Sequence, residues 1–235
     1  MKLEYLSWDS DFFSKKIGRI NYQIKNESEL LSLLAKAKDE GYQLIYVFGN
    51  ADLYFDQFFM DKNHAKLVDR KVVYTKSILS TNENTNTVQE YKDFVTTDEL
   101  ESLAYLSGAF SRFRLDNKFE TEDFYRLYKT WITKSVSKDM ADKVFVVREH
   151  DKVVGMVTLK IQQEVGEIGL IAVSESAQSK GYGKDLINTC INAIVSKGIH
   201  QIEVPTQMEN IDACCFYEKC GFKIKSITNI YHFWL

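Results

Sequence analysis

The stretch AQSKGYGKDL, Ala177 to Leu186, sets Gly181 and Gly183 two residues apart beside Gln178, Ser179, Lys180, Tyr182 and Lys184, directly after the apolar run IGLIAV. A glycine pair between a strand-like run and a helix start leaves backbone N–H groups free to face an anion, with no Cβ in the way. Lys184, in the first turn of the following helix, opposes the helix dipole and makes better sense beside that anion. A Walker loop needs Gly-Lys followed by Ser or Thr, which GYGKD lacks. A dinucleotide fingerprint needs a third glycine and a downstream acid in a βαβ crossover. The residues therefore predict a pyrophosphate seat of neither kind, with a plain glycine turn as the alternative.

The rest of the composition sets the frame for that loop. The chain has 235 residues, room for one large domain or two small ones. A formal net charge of −3 supplies no field to gather nucleic acid or an anionic membrane, so an anion site must be a local cluster. No apolar run approaches membrane-spanning length, so no membrane insertion is expected. Glu4, Asp9 and Asp11 stand where a secretory signal needs an apolar segment, so a cytoplasmic protein is expected. Cys190, Cys214, Cys215 and Cys220 fit no zinc spacing, imply no metal, and are expected as small buried apolar groups.

The polar run STNENTNT suggests a boundary: a small N-terminal α/β domain over 1–80, a linker over 81–87 and a second domain over 88–235. In the first, RINYQI, LIYVFG and KVVYTKSIL read as strands. A helix begins at Asn26, with Glu29 placed for a capping box, Leu30, Leu31, Leu33, Leu34 and Ala37 on one face, and Gly41 as its stop. In the second, DELESLAYLSGAF and FYRLYKTWI have helical period, and VFVVREH, KVVGMVTLKI and EIGLIAV read as an antiparallel meander. The helix after the glycine loop carries Leu186, Ile187, Cys190, Ile191 and Ile194 on one stripe. QIEVPTQ is a strand, IDACCFYEKC a short helix with Asn210 as its N-cap, and IYHFWL a terminal strand. The order from KVVYTKSIL onward is β-α-α-β-β-β-α-β-α-β, and the fold class is α/β (α+β).

Gln178-x-x-Gly181-x-Gly183 after an apolar strand, then Asn210 and YEKCGF further on, resembles the acetyl-CoA signature of the GNAT acyltransferases. The resemblance implies a mixed, mainly antiparallel sheet and a loop that holds the pyrophosphate of coenzyme A. Within that superfamily, LSWDSDFF, AFSRFRLDNKF, FYRLYKTWI, TQMEN and IYHFWL are similar to segments of the dTDP-fucosamine acetyltransferases, spanning both domains. That likeness implies transfer of acetyl from acetyl-CoA to the amino group of a nucleotide-linked 4-amino-6-deoxysugar, in a ternary complex, for cell-surface polysaccharide synthesis. Two positions depart from the pattern: Pro205 in the strand that should line the coenzyme, and His232 where a large aromatic belongs.

The resemblance implies roles for particular residues. The strand Ile171 to Val173 splays from Glu203 to Thr206, freeing an edge for the pantetheine, with the N–H of Ala172 or Val173 facing the thioester carbonyl. Tyr217 matches the tyrosine of the family's Tyr-x-x-x-Gly-Phe pattern and becomes the general acid, a phenol near pKa about 10 suiting a thiol leaving group. Core packing of its ring is the alternative. Asn210 is expected to reach the pantetheine besides capping its helix. Glu167 resembles, by its spacing from Gln178, the strand glutamate that acts as base in histone acetyltransferases, a role that requires burial near the amine. A solvated charge is the alternative, and His232 is a second candidate base. Arg112 and Arg114 suit an acceptor diphosphate, because guanidinium forks match phosphate oxygens, or else form a solvated helix end. A peptide acetyltransferase and a non-catalytic coenzyme A sensor are the competing readings. Aromatics expected on an exposed terminal strand suit a homodimer.

Overall fold

The computed structural model describes residues 1–22, 26–79 and 87–235. The linker expected over 81–87 lies outside the described residues except for Thr87, as do Gln23 and Ile24 at the end of the first expected strand. In chain order the elements are β1 (Leu3–Tyr5), α1 (Ser7–Phe13), β2 (Ile17–Tyr22), α2 (Glu27–Asp39), β3 (Leu44–Asn50), α3 (Gln57–Lys62), β4 (Ala65–Ser77), β5 (Val88–Glu90) and α4 (Asp98–Ser107). They continue with α5 (Arg112–Leu115), α6 (Thr121–Val136), β6 (Lys143–Glu149), β7 (Lys152–Gln162), β8 (Val165–Val173), α7 (Tyr182–Val195), β9 (Gln201–Gln207), α8 (Ile211–Lys219) and β10 (Lys223–Trp234).

These elements form two compact units: Met1–Val72 with Gln207–Glu209 and Ser226–Leu235, and Val73–Thr206 with Asn210–Lys225. That division differs from a cut at residue 80. The long strands β4 and β10 each run through both units, so the end of the chain returns to the first one. There β10 pairs antiparallel with β3, Tyr231 opposite Val47 and Phe233 opposite Ile45, while β2 pairs parallel with β3. Tyr231 and Phe233 join Ile20, Leu30, Leu34 and Phe55 in one buried core. The aromatics expected at an exposed strand, where they suited a homodimer, are buried instead because both faces of β10 are covered there.

Helix α2 starts where Asn26 Oδ1 accepts the Glu29 N–H at 3.1 Å, the cap that its sequence predicts. Leu30, Leu34 and Ala37 are buried, but Leu31, assigned to the same face by spacing, turns toward solvent. Helices α1 and α3 were not visible in the sequence pattern; α3 spans only Gln57–Lys62 and is held by Asp56, whose carboxylate accepts the Phe59 N–H at 2.7 Å.

In the second unit β6, β7 and β8 form the expected antiparallel meander, the short strand β5, which the sequence reading lacked, pairs antiparallel with β6, and β9 joins β8 in parallel. The sheet is thus mixed and mostly antiparallel. Helix α7 buries Leu186, Ile187, Cys190, Ile191 and Ile194, the stripe that its period predicts. Burial of each such side chain stabilises by roughly 1.5–3 kcal/mol. Gly166 lets that helix lie close: a Cβ there would sit 2.7 Å from Ile194 Cγ2. Helix α4 packs against β7 and β8, and α6 against α4. Among the cysteines Cys190 and Cys214 are buried, as expected, whereas Cys215 is exposed and Cys220 half-buried.

Candidate functional site

Strand β8 has one neighbour along its whole length and another along only its first part. On one side it pairs with β7 from Val165 to Val173. On the other, pairing with β9 occurs at Gly166 with Ile202 and Glu167 with Glu203, and no further register is recorded among the described residues. The two strands open from that point. The cause lies in β8 itself, where Gly169 and Leu170 stand opposite the single residue Thr158 between the pairs Val157–Ile171 and Leu159–Ile168. An extra residue bends the strand that carries it. Thr158, 2% exposed, stabilises the bulge by accepting the Leu170 N–H on Oγ1 at 2.8 Å. Trp131 of α6 closes over it: a Cβ on Gly169 would lie 3.0 Å from Thr158 Oγ1 and 3.8 Å from Trp131 Nε1.

The opening decides which backbone groups are free. Ser174 donates its N–H to Val154 O of β7 at 2.8 Å. By the alternation of a strand, Ala172 also faces β7, and the N–H groups of Ile171 and Val173 face the opening. Val173, rather than Ala172, therefore presents its N–H to the opening. Pro205, the apparent departure in β9, falls beyond the last residue paired with β8, where a missing ladder donor is tolerated.

The glycine loop follows at the end of β8. Gln178 ties it back, its Nε2 donating to Val173 O at 3.2 Å. Ser179 takes φ 63° and Gly181 φ 90°, so the chain turns twice through the left-handed region before α7 begins. No side chain caps α7, and Gly181 O accepts from Lys184 and Asp185 at 3.0 and 3.1 Å. With the Lys184 N–H taken in this way, the first-turn N–H groups that stay open to the loop are those of Tyr182 and Gly183. A Cβ on Gly181 would meet nothing within 4 Å, so this glycine serves the backbone angle and an open approach. Gly183 serves packing instead: a Cβ there would lie 3.0 Å from the ring of Phe216 on α8. Lys184 is exposed, with no carboxylate in salt-bridge range among the described residues. The side chains of Lys180 and Tyr182 turn away to Glu149, leaving their backbone to the loop.

Helix α8 brings the remaining groups beside this loop through the Phe216 contact. Asn210 Oδ1 accepts the Ala213 N–H at 3.2 Å, the expected cap, and its amide nitrogen is not used by that cap. Tyr217 is 4% exposed, its ring near Tyr74, Phe216 and Phe222. Burial pushes its phenol well above the usual range, with Cys214 and Cys220 adding to the shift. The phenol is thus a weaker acid than a thiol match requires, and one that keeps its proton at any physiological pH. Both readings of Tyr217, packing and acid, are compatible with this position.

The candidate bases fare differently. Glu167 is exposed at the fork of β8 and β9, not buried. His232 is fully buried in the first unit, stacked on Tyr46 at 4.8 Å, and is a packing residue. Arg112 and Arg114 lie on α5, their guanidiniums 4.6 Å from the Phe113 ring and 5.4 Å from the Phe124 ring. A cleft of about 710 Å³ lies where α4 meets the end of β8, lined by Asp98, Glu99, Ser102, Leu103 and Leu106 on one side and Val153, Ser174, Glu175 and Ser176 on the other. Sequence reasoning missed Thr158 and Glu149; the one signal for Thr158 was a polar residue within the apolar run VVGMVTL.

Known proteins resemble this chain in sequence and in fold. The sequence model of the acetyltransferase (GNAT) family matches residues 103–222. An uncharacterized N-acetyltransferase of Bacillus subtilis is 33% identical over 125 residues, covering 50% of this chain and 79% of its own. A second, of Methanocaldococcus jannaschii, is 26% identical over 212 residues, covering 86% of this chain and 84% of its own. Among solved structures, a functionally unknown conserved protein from Staphylococcus epidermidis is similar with a TM-score of 0.68 at 13% identity, over 99% of this chain and 90% of that one. The GCN5-related N-acetyltransferase from Sphaerobacter thermophilus is similar with a TM-score of 0.58 at 13% identity, over 98% of this chain and 75% of that one. At such identities the structural likeness bears on the fold alone.

Proposed function

The chain belongs to the acetyltransferase (GNAT) family and is an acetyl-CoA-dependent acetyltransferase, and from that premise we propose that it acetylates the amino group of a nucleotide-linked 4-amino-6-deoxysugar. The supporting observation is the arginine pair of α5. Each guanidinium lies over an aromatic ring, which orients its fork. Arg114 sits over Phe124, and seven residues along the same helix, about 10 Å at the helical rise, Trp131 stands at the β8 bulge. A diphosphate on the arginines would thus be separated from the bulge by a span suited to a sugar ring. Such a substrate belongs to cell-surface polysaccharide synthesis.

In this reading the loop from Gln178 to Lys184 receives the coenzyme's diphosphate on its open N–H groups, with Lys184 as the free cation. The N–H groups of Ile171 and Val173, with Asn210, hold the pantetheine, and the Val173 N–H polarises the thioester carbonyl. The acceptor nitrogen attacks the carbonyl carbon and loses its proton to solvent. The C–S bond breaks as Tyr217 gives its proton to the sulfur, and the phenol is restored from water.

One observation favours a second reading. The cleft beside β8 is lined by Asp98, Glu99 and Glu175, which suit a cationic peptide better than a diphosphate. Thiol release from acetyl-CoA separates the two, with dTDP-linked and UDP-linked 4-amino-6-deoxysugars and a lysine-containing peptide offered in parallel. The proposal expects release with a nucleotide sugar, at a Michaelis constant for it raised by Arg112→Ala and by Arg114→Ala. Release with the peptide alone would transfer the assignment to the acidic cleft.

A further inference from the structure

Glu149 collects two donors from the glycine loop and belongs to none of the elements that the transfer reaction uses. Its carboxylate accepts from Lys180 Nζ at 2.7 and 3.0 Å and from the Tyr182 hydroxyl at 2.7 Å. Those two residues flank Gly181, so one carboxylate holds the loop on both sides of its left-handed turn. Glu149 itself is rigidly placed. It ends β6, opposite Lys152 of β7, and the turn between them, His150 and Asp151, takes φ 48° and 66°. Two consecutive left-handed residues make the tight hairpin turn whose twist matches its strands.

We propose that Glu149 is a positioning residue for coenzyme binding, which locks the loop in the form that presents its N–H groups before the ligand arrives. This rests on the reading that the loop takes the coenzyme's diphosphate. A loop with Gly181 at φ 90° and Ser179 at φ 63° has many alternatives open to it when free. Ordering it at the moment of binding weakens affinity, whereas ordering it beforehand does not. The charge of Glu149 does not oppose the diphosphate on its own, because Lys180 pairs with it. The carboxylate is held ionised, below the usual carboxylate range, by Lys180 first and Tyr182 second.

The test is calorimetric titration of the purified full chain with coenzyme A, which needs no acceptor. Glu149→Ala is expected to raise the dissociation constant about fivefold, the size of freeing two side chains, with the thermal midpoint unchanged. Glu149→Gln, which keeps an acceptor oxygen, is expected between wild type and Glu149→Ala. In a background carrying Lys180→Met and Tyr182→Phe the Glu149→Ala change should add nothing, because it has lost both partners. An unchanged or lowered constant in Glu149→Ala would overturn the proposal, as would the same fivefold loss in the doubly altered background. No binding of coenzyme A by the wild-type chain would instead overturn the reading of the loop, and this proposal with it.

Discussion

Tyr217 shows how far a motif reaches and where packing modifies it. The Tyr-x-x-x-Gly-Phe pattern marks the residue, but only the fold shows a ring 4% exposed among Tyr74, Phe216 and Phe222, its phenol pushed upward by burial. A raised phenol stays protonated as pH rises, so the acid is present throughout the range in which the enzyme works. Turnover should therefore show no loss from this group below about pH 10, the ordinary phenol value, in a pH–rate profile. Tyr217→Phe should lower turnover about 100-fold, the lower range for removal of a general acid, while calorimetry shows coenzyme A affinity little changed. Undiminished turnover would leave Tyr217 as a packing residue. The two glycines of the loop make the same point. Their spacing marks both alike, yet Gly181 answers a backbone angle and Gly183 the ring of Phe216.

At the scale of elements, the bulge in β8 does most to shape the site. Without it β8 would continue to pair with β9 past Glu167, and the N–H groups of Ile171 and Val173 would be used by the sheet. Thr158 holds the bulge through the Leu170 N–H at 2.8 Å. Thr158→Val keeps the shape but leaves that buried donor unpaired, a loss of about 1–3 kcal/mol in urea unfolding. Thr158→Ser, which retains the hydroxyl, should recover most of it, and equal losses in both variants would exclude this account. The strands and the α7 stripe were legible because a period of two or of 3.6 is a local property. The short helices α1 and α3 were not, being too brief for a period to emerge.

At the scale of the whole molecule, the two units exchange chain. Residues 226–235 close the core of the first unit, where Tyr231 and Phe233 are 1% and 0% exposed. Loss of either buried aromatic costs about 3–5 kcal/mol, and a domain has about 5–15 kcal/mol in all. A chain ending at Lys225 should therefore lose hydrogen-exchange protection throughout α2 and β3. Protection retained there would show that the core of the first unit does not depend on residues 226–235.

The sequence by itself determined the loop, the order of elements around it and the family, because glycine spacing, caps and hydrophobic period act over a few residues of chain. The tertiary structure decided what depends on neighbours remote in sequence. It buried His232 against Tyr46, left Glu167 exposed at the fork of two strands, and gave Ser226–Leu235 to the first unit. It also set Glu149 against Lys180 and Tyr182 across a gap of thirty-one and thirty-three residues. Burial and pairing of this kind are properties of what folds against a residue, and no local pattern carries them.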